Sequence, residues 1–348
     1  MKHAEGNGIV EPHVVVSRGG YLESTHLFAV AVADVDGRVH FALGDVERPR
    51  FLRSAAKPFV TAALLAHGAA ERFGWTPAEI ALASASHAGE PEHVAGVRSI
   101  LEKAGLREDV LRCGSHPPKD QTSAAELIRA GLSPTAVYNN CSGQHAALAS
   151  VAAEFRSHLE YIDPAHPIHA LYEQALRADV DPDLTRAAID GCGLPTQAVP
   201  LVSLAKGYAR LANPQAASER FAAALETVLE AMTLNPYFVG GSTSLDTALM
   251  FADSSMVSKH GAEAVYAAGF SDRRLGIAIK ILDGSPRAVP YVLRAVLEQT
   301  DLLSEELDQA LSGFTGPLVN GAGRPVGEIE VRETGVRIGR AGAGKPAR

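Results

Sequence analysis

A serine and a lysine three residues apart, Ser54 and Lys57 in the run Arg53-Ser54-Ala55-Ala56-Lys57-Pro58, are the first pair in this chain with a chemistry of their own. On a helix the two side chains share one face. A serine hydroxyl is a weak nucleophile until a base takes its proton, and a neutral lysine amine can do that. Pro58 limits where the helix can begin, because a proline deeper in it would clash with the carbonyl four residues back. Ser54 is therefore placed at a helix N-terminus, where free backbone N–H groups can hold a developing oxyanion. The S-x-x-K spacing also arises by chance on solvated helix faces, so its weight depends on what else the chain carries.

Two further runs add to it. Ala83-Ser84-Ala85-Ser86-His87-Ala88-Gly89-Glu90 is a stretch of small residues around Ser86 and His87, and could equally be an ordinary helix exit. Ser258-Lys259-His260-Gly261 precedes the predicted strand Ala264–Gly269 and could equally be a solvated turn. An S-x-x-K, a second serine downstream and a late K-x-G together form the layout used by serine β-lactamases and penicillin-binding proteins. A second constellation is Cys141, just before a predicted helix, and Cys192, in the loop Asp190-Gly191-Cys192-Gly193-Leu194-Pro195. Two thiols with His and Asp nearby can bind Zn²⁺, but they match no zinc-finger spacing and can equally be buried small hydrophobes.

The elements that must position these residues follow from periodicity. Val14–Arg18, Leu27–Ala33 and Val39–Ala42 read as a strand meander, followed by a helix from Ser54 to about His67. Thr76-Pro77-Ala78-Glu79 is a capping box. His93–Ala104, Thr122–Ala130, Gly143–Glu154, His169–Ala178 and Ala216–Met232 have helical spacing. Ala264–Gly269, Leu275–Lys280, Glu328–Glu333 and Val336–Ile338 read as strands, with helices at Ala288–Glu298 and Ser304–Leu311. This order predicts an α+β fold in which both ends of the chain build one sheet and a large helical lobe is inserted between them. The sheet lobe is expected from residues 10–70 and 236–340, and the helical lobe from 71–235. Residues 1–9 and 341–348 carry no pattern and are expected to be disordered.

Composition narrows the function. The chain has 348 residues, 46% of them hydrophobic and 21% charged, an ordinary globular balance. A net charge of -8 and a pI near 5.9, with no Lys/Arg-rich run, argue against a nucleic-acid partner. The apolar runs fall short of the roughly 20 residues a membrane span needs, and the N-terminus lacks the apolar core of a signal peptide. Cys113, Cys141 and Cys192 are too few and too uneven for a secreted disulfide framework. A cytoplasmic protein with reduced thiols is expected.

Six ordered blocks then point further: Arg53–Phe59, Ala85-Ser86-His87, Cys113–Pro118, Asn139–His145, Asp190–Pro195 and Ser258–Glu263. In that order they resemble the rhizobial-type asparaginases of the L-asparaginase II family, over roughly residues 12 to 340. The resemblance implies an antiparallel sheet flanked by helices with a helical lobe, like serine β-lactamases and glutaminases, usually as a homodimer. It implies hydrolysis of L-asparagine with Ser54 as nucleophile, Lys57 as its base, and Ser86 and Lys259 as a second Ser–Lys pair. Arg53, His87 and Asp190 would then bind substrate. It further implies zinc, held by Cys141, Cys192 and a lysine, and no organic cofactor. Two positions depart from that pattern: Gln144 stands where the ligand lysine is expected, and Ser244 where an arginine is expected. The alternatives are a related Ser–Lys amidase (glutaminase or β-lactamase-like), a non-catalytic amino-acid-binding protein, and a hydrolase whose zinc activates water.

Overall fold

A computed structural model describes residues 11–155, 160–184 and 186–332. The two terminal segments expected to be disordered and the strand expected at Val336–Ile338 lie outside these residues. Eleven strands are present among them: β1 His13–Arg18, β2 Tyr21–Asp34, β3 Val39–Leu43, β4 Arg50–Phe51, β5 Arg186–Ile189, β6 Pro195–Val199, β7 Met256–Gly261, β8 Val265–Phe270, β9 Leu275–Ile281, β10 Leu318–Val319 and β11 Pro325–Arg332. Eight form one antiparallel sheet in the order β10-β11-β1-β2-β9-β8-β7, with β3 also paired to β2. Strands from both ends of the chain thus share a sheet, as the element order predicts. The other three make a small sheet, β4-β6-β5, that joins the start of the chain to its middle.

Side-chain size decides how each face of the large sheet is covered. Phe28, Val30 and Val32 of β2 and Ile277, Ile279 and Ile281 of β9 face one way, with Tyr266 and Phe270 of β8. Against them pack Val292, Leu293, Val296 and Leu297 of the helix Val289–Gln299. Ala29, Ala31, Ala33, Ala267 and Ala278 face the other way, where the helix Leu201–Ala212 crosses the sheet. Small residues let that helix lie close to the strands. At Gly269 and Gly276, a cross-strand pair, the helix backbone touches the sheet itself. A Cβ on Gly276 would stand 2.0 Å from the Ala205 carbonyl oxygen, and one on Gly269 2.0 Å from that of Tyr208. Gly276→Ala is therefore expected to destabilise the protein by about 3 kcal/mol, since neither the helix backbone nor the central strand can give way cheaply; thermal and urea unfolding check this.

The helix Leu201–Ala212 lies within the range read as helical lobe, yet it packs on the sheet. Conversely, the helix Lys57–Ala66 follows directly on Ser54 but packs among the lobe helices Ser142–Ala152, Pro167–Asp179 and Ala222–Leu234. Lys57 through Leu65 are all buried. A helix apolar on every side belongs inside a core, and this one ties the two regions together with the site at its first turn. No helix among the described residues is long and apolar enough to cross a membrane.

Candidate active site

The chain enters the site from β4 through a sharp backbone turn. Arg53 has φ +49°, a left-handed conformation that costs a non-glycine residue about 1–3 kcal/mol. It is held there from both ends. Its backbone N–H donates to Thr196 Oγ1 at 3.2 Å, and its guanidinium pairs with the Asp190 carboxylate. The next residues, Arg53–Ala56, form a short 3₁₀ turn that runs into the α-helix at Lys57, with Pro58 in its first turn. Ser54 consequently stands at the start of a helix, as the proline position predicts.

Ser54 and Lys57 open on one cleft together with Arg53, Gln144, Tyr172, Asp190, Cys192 and Gln197. The Lys57 side chain is 3% exposed; its Nζ donates to the Ala85 carbonyl at 2.6 Å and to Ser86 Oγ at 3.2 Å. Ser86 is fixed by its backbone, whose N–H donates to Val239 O at 3.0 Å, while the neighbouring His87 N–H donates to Asn140 O at 3.1 Å. Lys57 thus lines the same cleft as Ser54 and is hydrogen-bonded to Ser86. Its amine engages Ser86 and makes no hydrogen bond to Ser54.

His87 lies elsewhere. It is fully buried and absent from the cleft lining. The Gly89 N–H donates to its Nδ1 at 3.1 Å, so the ring proton is on Nε2 and points to Ser142 Oγ at 2.9 Å. Burial holds this imidazole well below its ordinary pKa, and it serves as a neutral strut between its own loop and the first residue of the helix Ser142–Ala152. Asp190 and Arg53, by contrast, both face the cleft. Burial works to raise the Asp190 carboxyl, but the Arg53 guanidinium more than offsets it and keeps the group below the ordinary carboxylate value.

Cys141 and Cys192, far apart in sequence, meet here. The interaction of each thiol with the other draws Cys141 well below its usual range and pushes Cys192 up. Lys57 acts on Cys141 in the same downward direction. The third position is Gln144, buried in the same cleft, with its Nε2 atom lacking any hydrogen-bond partner. Two thiols and a carboxamide are a poor donor set for zinc, which takes sulfur, imidazole nitrogen or carboxylate oxygen. Among the described residues no three His, Cys, Asp or Glu side chains converge on one point. The expected zinc site therefore does not fit these residues. Placing an amine back at the third position, Gln144→Lys, is expected to raise zinc from below about 0.1 to about one per chain after zinc loading; elemental analysis reads the difference.

Lys259 comes from β7, so the Ser258–Gly261 run is itself a strand and not the turn before one. The strand ends against the turn that carries Ser54: a Cβ on Gly261 would stand 3.2 Å from Leu52 O and 3.4 Å from the Ala55 backbone nitrogen. Lys259 is 0% exposed, and its ammonium donates to His260 O at 2.7 Å. Burial pushes it down to about 7, against the pull of Asp246. Ser244, the other departure from the expected pattern, lines a separate apolar cavity on the far side of β7, away from the Ser54 cleft. Sequence reasoning gave no role to Asp246 or to Lys119, a further cation near Lys57 and Cys141. Neither lies in a recognisable motif; each reaches the site through tertiary packing.

No curated protein sequence matches the chain. Two solved structures show a weak likeness. One is Mglu in its native form in 4.3 M NaCl, at 16% identity and a TM-score of 0.37 over 80% of this chain and 62% of that one. The chain thus spans 62% of Mglu's length. The other is a β-lactamase from Mycobacterium bovis, at 16% identity and a TM-score of 0.41 over 78% of this chain and 94% of that one. Neither likeness is close enough to bear on the chemistry. The family match is of another order: residues 14–331, which hold every block of the site described above, match L-asparaginase II. This chain belongs to the L-asparaginase II family.

Proposed function

We propose that the protein hydrolyses the side-chain amide of L-asparagine to L-aspartate and ammonia with a Ser–Lys nucleophile pair. The observation that carries this reading is the joint opening of Ser54 and Lys57 on one cleft beside the paired Arg53 and Asp190. A guanidinium and a carboxylate side by side suit a zwitterion, Arg53 meeting the α-carboxylate and Asp190 the α-ammonium. Lys57 takes the Ser54 proton as Oγ attacks the amide carbon. Backbone N–H groups at the helix start oppose the charge that develops on oxygen. When the tetrahedral intermediate collapses, the C–N bond breaks and the nitrogen leaves as ammonia with a proton passed from Ser86, restored through Lys57 and Lys259. Water, deprotonated in turn, then cleaves the aspartyl ester and returns the proton to Ser54. Every step uses the chain's own residues.

Ammonia release from L-asparagine and from L-glutamine by the purified protein tests the reading. Asparagine is expected to be favoured by about tenfold or more in kcat/KM, the usual discrimination for one methylene. A faster rate on glutamine or on a β-lactam would move the substrate within the Ser–Lys amidases. Release from neither amide by folded protein that still binds asparagine in a calorimeter would make it a binding protein. The same reading takes the protein to be a cytoplasmic homodimer, which light scattering and cell fractionation check directly.

A further inference from the structure

Asp246, at the start of the helix Leu245–Ala252, is 0% exposed, and every partner of its carboxylate is identifiable. Oδ2 accepts from the His260 backbone N–H at 3.0 Å and from His260 Nδ1 at 2.5 Å, while Oδ1 lies 3.5 Å from Ser258 Oγ. Oδ2 is also 3.9 Å from Lys259 Nζ. A carboxylate held by three groups of one strand cannot drift, so it fixes where the Lys259 ammonium ends. The surroundings of Lys259 make this anchor necessary. Lys57 and Lys119 repel the ammonium, while Asp246 is the carboxylate that attracts it and the His260 carbonyl accepts its hydrogen bond. Without Asp246, a buried ammonium beside two other cations would lose its carboxylate partner, and it would withdraw or lose its proton.

We propose that Asp246 is a positioning residue for the Ser54 reaction, acting through Lys259. The proposal rests on the amidase reading above, in which Lys259 helps to restore the proton that Ser86 passes to the leaving ammonia. Burial working against Asp246 leaves Lys259 near 7, where ammonium and amine are both populated at neutral pH and a proton can be both given and regained. Asp246 itself is held at about 2, burial being outweighed by the charge and hydrogen bond of His260 and by Lys259, so it remains ionised throughout.

A double-mutant cycle tests the assignment. Asp246→Asn and Lys259→Met are each expected to slow ammonia release from asparagine about 100-fold, with KM within about threefold. The double variant should be no slower than Lys259→Met alone. Hydrolysis of 4-nitrophenyl acetate should fall less than about threefold in all three, because nitrophenolate leaves without a proton whereas ammonia cannot. A purely structural role would depress both reactions together. If Asp246→Asn unfolds while the double variant folds, the pairing is supported as well, since only the unpaired ammonium differs between them. Loss of fold in both, additive losses, or an Asp246→Asn protein that keeps a third of its ammonia release overturns the proposal. Wild-type protein that releases no ammonia from asparagine overturns the asparaginase reading and this proposal with it, a result distinct from the others.

Discussion

Ser54→Ala is expected to lower ammonia release from L-asparagine by about 10⁴-fold or more while leaving asparagine affinity within about threefold. The size follows from the cleft's inventory. Three hydroxyl-bearing residues line it, and two are committed elsewhere. Thr196 Oγ1 accepts from the Arg53 backbone, and the Tyr172 hydroxyl lies 2.8 Å from His169 Nδ1. Ser54 makes no side-chain hydrogen bond among the described residues, so its hydroxyl is the one free to attack. For the same reason its removal breaks nothing in the fold, and the unfolding temperature should stay within about a degree. What remains in the variant is binding by Arg53 and Asp190 and the helix-start N–H groups, which act on the substrate whether or not a nucleophile is present. Steady-state ammonia assays with calorimetric binding separate the two quantities. A variant retaining a tenth of the wild-type rate would shift the nucleophile to another group, with Ser86 the nearest hydroxyl to Lys57.

Which parts of this arrangement the sequence announces depends on whether they are local. Ser54 at a helix start follows from Pro58 alone, and the strands around Val14, Leu27, Ala264 and Leu275 follow from β-branched and apolar runs, which a sheet covered on both faces demands. The strand carrying Lys259 is not visible in that way. Ser258-Lys259-His260 is polar at each position, because both of its faces are lined by buried charge partners rather than by core. The β5–β6 hairpin within the helical stretch is hidden similarly, behind a Gly- and Pro-bounded loop that gives no alternation. The helix Leu201–Ala212 shows apolar spacing, but nothing in it says that the surface it meets is the sheet; that information sits in Gly269 and Gly276, some sixty residues on. His87 has the opposite problem. A histidine beside a serine in a small-residue run suggests contact with substrate, and only the Gly89 and Ser142 bonds reveal a buried strut. Asp246 and Lys119 became legible only once Lys259 and Cys141 had positions in space.

Lys57→Met is expected to reduce kcat by about 10³-fold with little change in KM, the loss typical of a general base that acts on the bond-making step. The replacement suits the position. Lys57 is enclosed on a core helix, and methionine nearly matches the volume of its aliphatic stem, so the packing around Phe59 and Val60 need not shift. Ser86 and the Ala85 carbonyl lose one donor, while Lys119 and Lys259 lose a neighbouring cation that repels them. Low activity in a protein that unfolds at or above the wild-type temperature would then mark a chemical loss and not a structural one. Lys57→Arg sharpens the test, because it keeps the positive charge but cannot give up its proton at neutral pH and is too broad for the space between Ala85 and Ser86. If charge alone were needed to hold the site, arginine would recover activity. If Lys57 carries the Ser54 proton, both variants fail alike, and only the enzyme with an amine at this position turns over.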